Sequence, residues 1–179
     1  MLQTFIENKT GKLIEYDDTL YEVIDAEHCS RHLHYIGPSD VRPVIPEGCT
    51  DCYKMFANTS IKYAPIIPEG VICTLCMFER CYALTEAPVI PESAEEINGM
   101  FRECISLKYA PEIPKNVRWA MSTFSGCIAL EKPPVIKSKI LVNTILMFAG
   151  CHSLKSKANL LNKPEKDEKM YTQCHKLKE

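Results

Sequence analysis

Glycine and tryptophan are scarce in this chain, at 7 and 1 of 179 residues. Thinly scattered glycines leave few of the tight backbone loops that cradle phosphates, and neither a Gly-x-Ser-x-Gly turn nor a paired-carboxylate motif occurs. No enzyme is therefore expected. Neither sign of charge dominates: 21 Lys and Arg stand against 23 Asp and Glu, for a net charge of −2. Nucleic-acid binders normally carry a basic excess, so none of that class of partner is expected. Apolar runs are only a few residues long, far short of the roughly 20 that span a bilayer, so no membrane partner is expected either. The opening residues MLQTFIENKTGK lack the basic start and apolar run of a secretory signal, which makes a cytoplasmic location the expectation. Thiols in that compartment stay reduced, so the cysteines are not first read as a disulfide framework.

Cysteine and proline are abundant instead, at 10 and 12 residues. Both recur with a period. Met77-Phe78-x-x-Cys81-x-x-Leu84 returns as Met100-Phe101-x-x-Cys104-x-x-Leu107 and as Met147-Phe148-x-x-Cys151-x-x-Leu154. Variants begin at Met55, Thr123 and Met170, so the spacings between successive starts are 22, 23, 23, 24 and 23 residues. A second string, Ala-Pro-x-Ile-Pro, keeps nearly fixed phase with the first at Ala64–Pro68, Ala87–Pro91 and Ala110–Pro114. It is degraded at Pro133–Lys137 and half present at Arg42–Pro46. A unit of this length is too small to bury its own apolar side, so copies must stack, placing Phe on Phe and Leu on Leu.

Ile97, Met100, Phe101 and Cys104 fall at i, i+3, i+4 and i+7, the spacing of one face of a short helix, and Thr74, Met77, Phe78 and Cys81 repeat it. Ser93-x-x-Glu96, Asn116 and Asn162 read as caps for such helices. The Ala-Pro-x-Ile-Pro segment reads as a short irregular strand, because proline lacks the donor that a ladder needs. Which of its residues face outward does not follow from period-2 alternation, which is absent. Residues 1–41 lie before the repeat and read as an N-terminal cap of short strands: Thr4–Asn8, Lys12–Tyr16 and Leu20–Ile24.

The unit Met-Phe-x-x-Cys-x-x-Leu-x-x-Ala-Pro-x-Ile-Pro resembles the BspA-like leucine-rich repeat, with Phe78, Cys81, Leu84, Ile90 and Pro91 and their equivalents over roughly residues 42–177 carrying the likeness. That family is known from surface proteins of gut and oral bacteria and some protists, and from phage genomes. The resemblance implies an α/β fold: a right-handed, curved solenoid with protein-binding roles. The expected architecture is about six coils of ~23 residues, each a short irregular strand plus a short helix. The expected division is a cap over 1–41, a solenoid over 42–163, and a terminal coil with a C-terminal cap over 164–179.

Cys81, Cys104, Cys127, Cys151 and Cys174 hold one repeat position and read as small apolar packing. Cys49-x-x-Cys52 and Cys73-x-x-Cys76 have the separation of a four-cysteine zinc site, but the two pairs sit out of phase with the repeat. No cofactor is the expectation, with zinc on Cys49, Cys52, Cys73 and Cys76, or thiol chemistry there, as the alternative. His28, Cys29, His32 and His34 mix good ligand types but read first as a polar stretch of the cap. Between the ladder positions lie Tyr63, Glu86, Lys108, Tyr109 and Lys132, the candidate partner-binding residues, with Trp119 as a further anchor. The expected function is a non-catalytic, stand-alone protein–protein interaction module that acts by occupying a partner's surface. A phage-encoded inhibitor of a host defence protein is the alternative. The oligomeric state is left open.

Overall fold

The computed structural model describes residues 13–17, 19–25 and 32–178. Three antiparallel strands come first: β1 (Leu13–Tyr16), β2 (Thr19–Asp25) and β3 (His32–Tyr35), in the order β1-β2-β3. Strands β1 and β2 occupy the segments that patterning assigned around Lys12–Tyr16 and Leu20–Ile24. Thr4–Asn8 lies outside the described residues, and so do His28 and Cys29. Strand β3 was not expected from the sequence, because two histidines disguise its short apolar alternation.

From Pro43 onward, successive segments lie one on the next. Parallel bridges join Asp51 to Cys73, Cys73 to Glu96, Glu96 to Trp119, Trp119 to Asn143 and Asn143 to Lys166. A shorter ladder joins Glu86, Tyr109 and Lys132, and a single bridge joins Ile113 to Ile136. Each step advances by one repeat, so every sequence period is one coil.

No helix occurs among the described residues, which corrects the expected helix in each coil. The i, i+3, i+4 spacing has another cause. Along Thr74–Cys81 the amides alternate in destination. Those of Thr74, Cys76, Phe78 and Arg80 donate to Glu96, Asn98, Met100 and Arg102 of the next coil, whereas those of Met77, Glu79 and Cys81 donate three residues back within their own coil. The same four cross-coil bonds recur at all five junctions, at 2.7–3.1 Å. A helix would send every amide back along its own chain, leaving nothing to join one coil to the next. Such a wall of turns needs left-handed residues, and each coil has two, directly before the Met position and three after it. They are Lys54 and Asn58, Cys76 and Arg80, Gly99 and Glu103, Ser122 and Gly126, Leu146 and Gly150, and Lys169 and Gln173, with φ between 51° and 77°.

The supposed helix caps also act between coils. Ser93 Oγ donates to Val71 O, Asn116 Nδ2 to Glu92 O, and Asn162 Nδ2 to Leu141 O. Each satisfies a carbonyl of the preceding coil rather than an amide of its own. Proline works in the opposite sense. No backbone bond joins the coils across Ala64–Pro68 and Ala87–Pro91. Where the second proline is replaced by Lys137, that amide donates to Ile113 O at 2.9 Å and the Ile113–Ile136 bridge forms.

The core is a column of aromatic rings. Phe56, Phe78, Phe101, Phe124, Phe148 and Tyr171 stack at centroid separations of 5.4–5.6 Å with planes within 9° of parallel. The separation exceeds the strand spacing of about 4.8 Å, as tilted, offset rings require. At the N-terminal end Tyr21 and Tyr35 pack edge-on and tilted against Phe56, at 6.4 and 5.6 Å, so the three-stranded sheet extends the column. Tyr21 Oη donates to Val44 O, and Thr19 Oγ1 accepts from Val44 N, which fastens the sheet to the first coil.

Two consequences can be measured. Phe101→Ala removes a ring stacked on both sides and should lower unfolding free energy by about 3–5 kcal/mol in a denaturant titration. Gly99→Ala would place a Cβ 2.9 Å from Cys76 Sγ at φ +61°. Other coils carry lysine, serine or leucine at the same position, so the sulfur contact is the larger part of the penalty. Gly99→Ala should cost about 1–2 kcal/mol, and less in a Cys76→Ala background.

Candidate functional site

Three sets of side chains merit functional scrutiny: the ladder cysteines, the two Cys-x-x-Cys pairs, and the outward columns of the proline-containing arc.

The ladder cysteines are donors as well as filler. Cys104 Sγ donates to Phe78 O at 3.0 Å, Cys127 to Phe101 O at 3.0 Å, and Cys151 to Phe124 O at 3.1 Å, each reaching back one coil. Phe78 O also accepts the Cys81 amide at 3.0 Å. The carbonyls of Phe78, Phe101, Phe124 and Phe148 each take two donors, the amide of their own coil's cysteine and the thiol of the next. In the first coil Thr59 replaces cysteine, its hydroxyl donates to Phe56 O, and Cys81 supplies the thiol from the coil that follows. Burial pushes the Cys81 thiol up to about 11 and holds Cys104 and Cys127 well above the ordinary thiol value. Protonated and enclosed, these groups are poor nucleophiles and poor metal ligands.

The two Cys-x-x-Cys pairs sit on adjacent coils, where the Cys52 amide donates to Cys73 O. Among the described residues, no group of three or more His, Cys, Asp or Glu side chains is placed to hold a metal ion. The sulfurs of Cys49 and Cys52 lie 3.9 Å apart, whereas Cys76 Sγ lies against Gly99. Burial raises Cys73 to about 12 and Cys76 to about 11, with the carboxylates of Asp51 and Glu96 adding to the first and Glu79 to the second. Cys73 lies near the first pair, where its charge and that of Asp51 act on Cys52, whereas Cys76 is set toward Glu79 and Gly99. His34 Nδ1 lies 3.3 Å from Lys54 O, spent on the junction between cap and first coil.

The proline-containing arc carries two outward columns. One is Tyr63, Glu86, Tyr109 and Lys132, all exposed, with Tyr109 at 64%. These four were singled out from sequence; bridges set Glu86, Tyr109 and Lys132 in one line, and Tyr63 borders the same groove as Glu86. A groove of about 160 Å³ opens beside the column's first half, lined by Arg42, Lys62, Tyr63, Thr85 and Glu86. Lys108 is exposed in the neighbouring column, where Lys155 pairs with Glu131. Trp119 stands apart. It is 36% exposed and belongs to the ladder running from Asp51 to Lys166, not to the tyrosine column.

The second column was missed by sequence reasoning. It is the x of Pro-x-Ile: Val44, Ile66, Val89, Glu112 and Val135. Ile66 is 80% exposed, Val89 84% and Val135 65%, while the following isoleucines are buried. Glu112 was the available signal. A position that accepts either a β-branched residue or a glutamate, between conserved-type buried neighbours within the chain, faces solvent. Glu112 pairs with Lys137 of the next coil, interrupting the apolar column.

Comparison with protein-family models, curated proteins and solved structures yields no match. The BspA-like resemblance therefore rests on the repeat residues themselves. Among the described residues no helix is long and apolar enough to cross a membrane.

The ladder makes a chemical prediction. In the native protein at pH 8, Cys81, Cys104, Cys127 and Cys151 should resist iodoacetamide until denaturant is added, as read by peptide mass mapping. Cys127→Ala should cost about 1–2 kcal/mol, since it opens a small void and leaves one lone pair of Phe101 O unmatched.

Proposed function

We propose that this chain is a right-handed leucine-rich-repeat-type solenoid of BspA-like character, acting as a non-catalytic protein-binding module. The observation that carries the binding reading is the column of Ile66 and Val89, large β-branched side chains four-fifths exposed on adjacent coils. Isolated exposed apolar residues are ordinary, but aligned ones form a continuous strip from which water is released on contact. Tyr63 and Tyr109, in the parallel column, add rings that contribute large contact area for little lost rotamer freedom. Charges of both signs (Glu86, Lys108, Lys132) border the strip and would fix the partner's register more than its affinity. The described thiols of the ladder have no part in this reading beyond holding the coils in line.

Acting by occupation alone, such a module serves as an adaptor or an inhibitor. The inhibitor reading, including one carried by a phage against a host protein, draws its support from the family resemblance only.

The test is affinity capture with the full chain and with Ile66→Asp/Val89→Asp, from lysates of several bacterial hosts. Both side chains point into solvent, so the double variant should melt within about 0.5 kcal/mol of the parent per site. A protein retained by the parent and lost at least tenfold with the variant supports the reading. Equal capture by the two, or capture by neither, counts against it.

A further inference from the structure

Cys49 and Cys52 differ from the other described cysteines in three ways. Their sulfurs already touch, at 3.9 Å. One is reachable and the other is not: Cys49 is half-buried, whereas Cys52 is 1% exposed. They are also held unequally. The Cys52 amide donates to Cys73 O of the next coil at 2.9 Å, which ties that residue into the wall of turns. The Cys49 amide makes only a local turn bond to Pro46 O at 3.2 Å, directly after Gly48, which has φ +79° and open space around it. Cys73 and Cys76 share the spacing and are also tied into the coils, but no sulfur–sulfur contact joins them.

We propose that Cys49 and Cys52 form a thiol–disulfide exchange pair that reacts with small disulfides of the glutathione class, Cys49 attacking and Cys52 resolving. This goes beyond the binding reading and does not depend on it.

The exchange balances in two displacements. The Cys49 thiolate attacks one sulfur of the small disulfide R–S–S–R, forming Cys49–S–S–R and releasing R–S⁻, which takes up the proton Cys49 gave to solvent. Cys52 then gives up its proton and attacks Cys49 Sγ, forming the Cys49–Cys52 bond and releasing the second R–S⁻, which leaves as a thiol. The protein dithiol is oxidised and the small disulfide is reduced to two thiols. Closing the bond brings the sulfurs from 3.9 Å to about 2.05 Å. The Cys49 side supplies that movement, since Cys52 is fixed between coils.

The electrostatics agree with the division of roles. The neighbouring Cys52 thiol stabilises the Cys49 thiolate and holds Cys49 below the ordinary thiol value, while burial adds to the same contact in raising Cys52. An attacking thiol works best as thiolate, and a resolving one must stay protonated until the mixed disulfide brings a sulfur to it.

The experiment uses the full chain, exposed to oxidised glutathione under native conditions, quenched in acid and mapped by mass. The expected product is a tryptic peptide ending at Lys54 that has lost two hydrogens, with Cys76 and the ladder thiols still free. In Cys52→Ser, glutathione should accumulate on Cys49. In Cys49→Ser, Cys52 should stay unmodified. Limiting iodoacetamide should label Cys49 in the parent at least about tenfold faster than Cys76, a readout that needs no variant to fold. Labelling of Cys49 no faster than Cys76 would overturn the proposal. So would a stable glutathione adduct on Cys49 in the parent, or modification of Cys52 in Cys49→Ser at the parental rate.

Discussion

The alternating destination of backbone amides along each wall of turns is the constraint on which the remaining structure depends. One amide in two leaves its own coil, so one coil lies on the next at a spacing set by hydrogen bonds of 2.7–3.1 Å. The alternation demands a left-handed residue before and after each Met-Phe pair, and the chain accepts lysine, arginine, glutamate, leucine and glutamine there despite a cost of about 1–2 kcal/mol each. Four cross-coil bonds per junction, together with the stacked rings beneath them, offset that strain. The same geometry turns the Phe carbonyl inward. A buried carbonyl has two lone pairs to satisfy, and a residue that is small, apolar and able to donate meets that need. Cysteine fits all three conditions, which is why its position is kept coil after coil.

Much of this was legible in the sequence. The period and the register followed from Phe and Cys alone, because stacking like on like is what a repeat of this length has to do. Met77, Phe78 and Leu84 were named by the same pattern and are buried, whereas the inward turn of Ile90 was not readable. Helical spacing misled because residues on two successive turns, each closed by a three-residue hydrogen bond, fall at intervals of three and four just as a helix face does. Nothing in Ile97-x-x-Met100-Phe101-x-x-Cys104 separates the two geometries; the glycine at 99 was the one hint. Ser93, Asn116 and Asn162 were recognised as residues that satisfy backbone groups, but their targets lie a whole coil away, beyond the reach of a local motif. The spacing of the two Cys-x-x-Cys pairs meets a related limit. Distance along the chain equals one coil only when the phase is kept, and Cys49–Cys52 and Cys73–Cys76 are two residues out of phase.

The outward columns show the other side of exact register. Once the core fixes each coil on the next, residues that do no packing are aligned as strictly as those that do. Tyr63, Glu86, Tyr109 and Lys132 are the readable case, since aromatic and charged residues between ladder positions draw attention. Ile66 and Val89 are the unreadable case. They look like core residues, and only the burial of their neighbours on both sides shows that they are not. The column is interrupted at Glu112, whose partner Lys137 is also the residue that restores a backbone bond between coils. There the arc is tied by charge and backbone together, while no backbone bond crosses between the coils at Ile66 and Val89.

Within the wall of turns the cross-coil bonds run one way, whereas beside it amides such as Ile72, Glu95, Arg118, Val142 and Lys166 donate back to the preceding coil, and the wall's single direction has an electrical consequence. In each wall of turns four peptide groups point their N–H forward and their C=O backward along the stack. Peptide dipoles of about 3.5 D therefore add from coil to coil, as they do along a helix, although no helix is present. The positive pole faces the later coils and the negative pole faces the N-terminal sheet. That sheet meets the pole with donors: Tyr35 N donates to Met55 O at 2.7 Å, and a ring nitrogen of His34 faces Lys54 O. The wall of turns therefore has unlike poles at its two ends, and the N-terminal sheet covers the negative one.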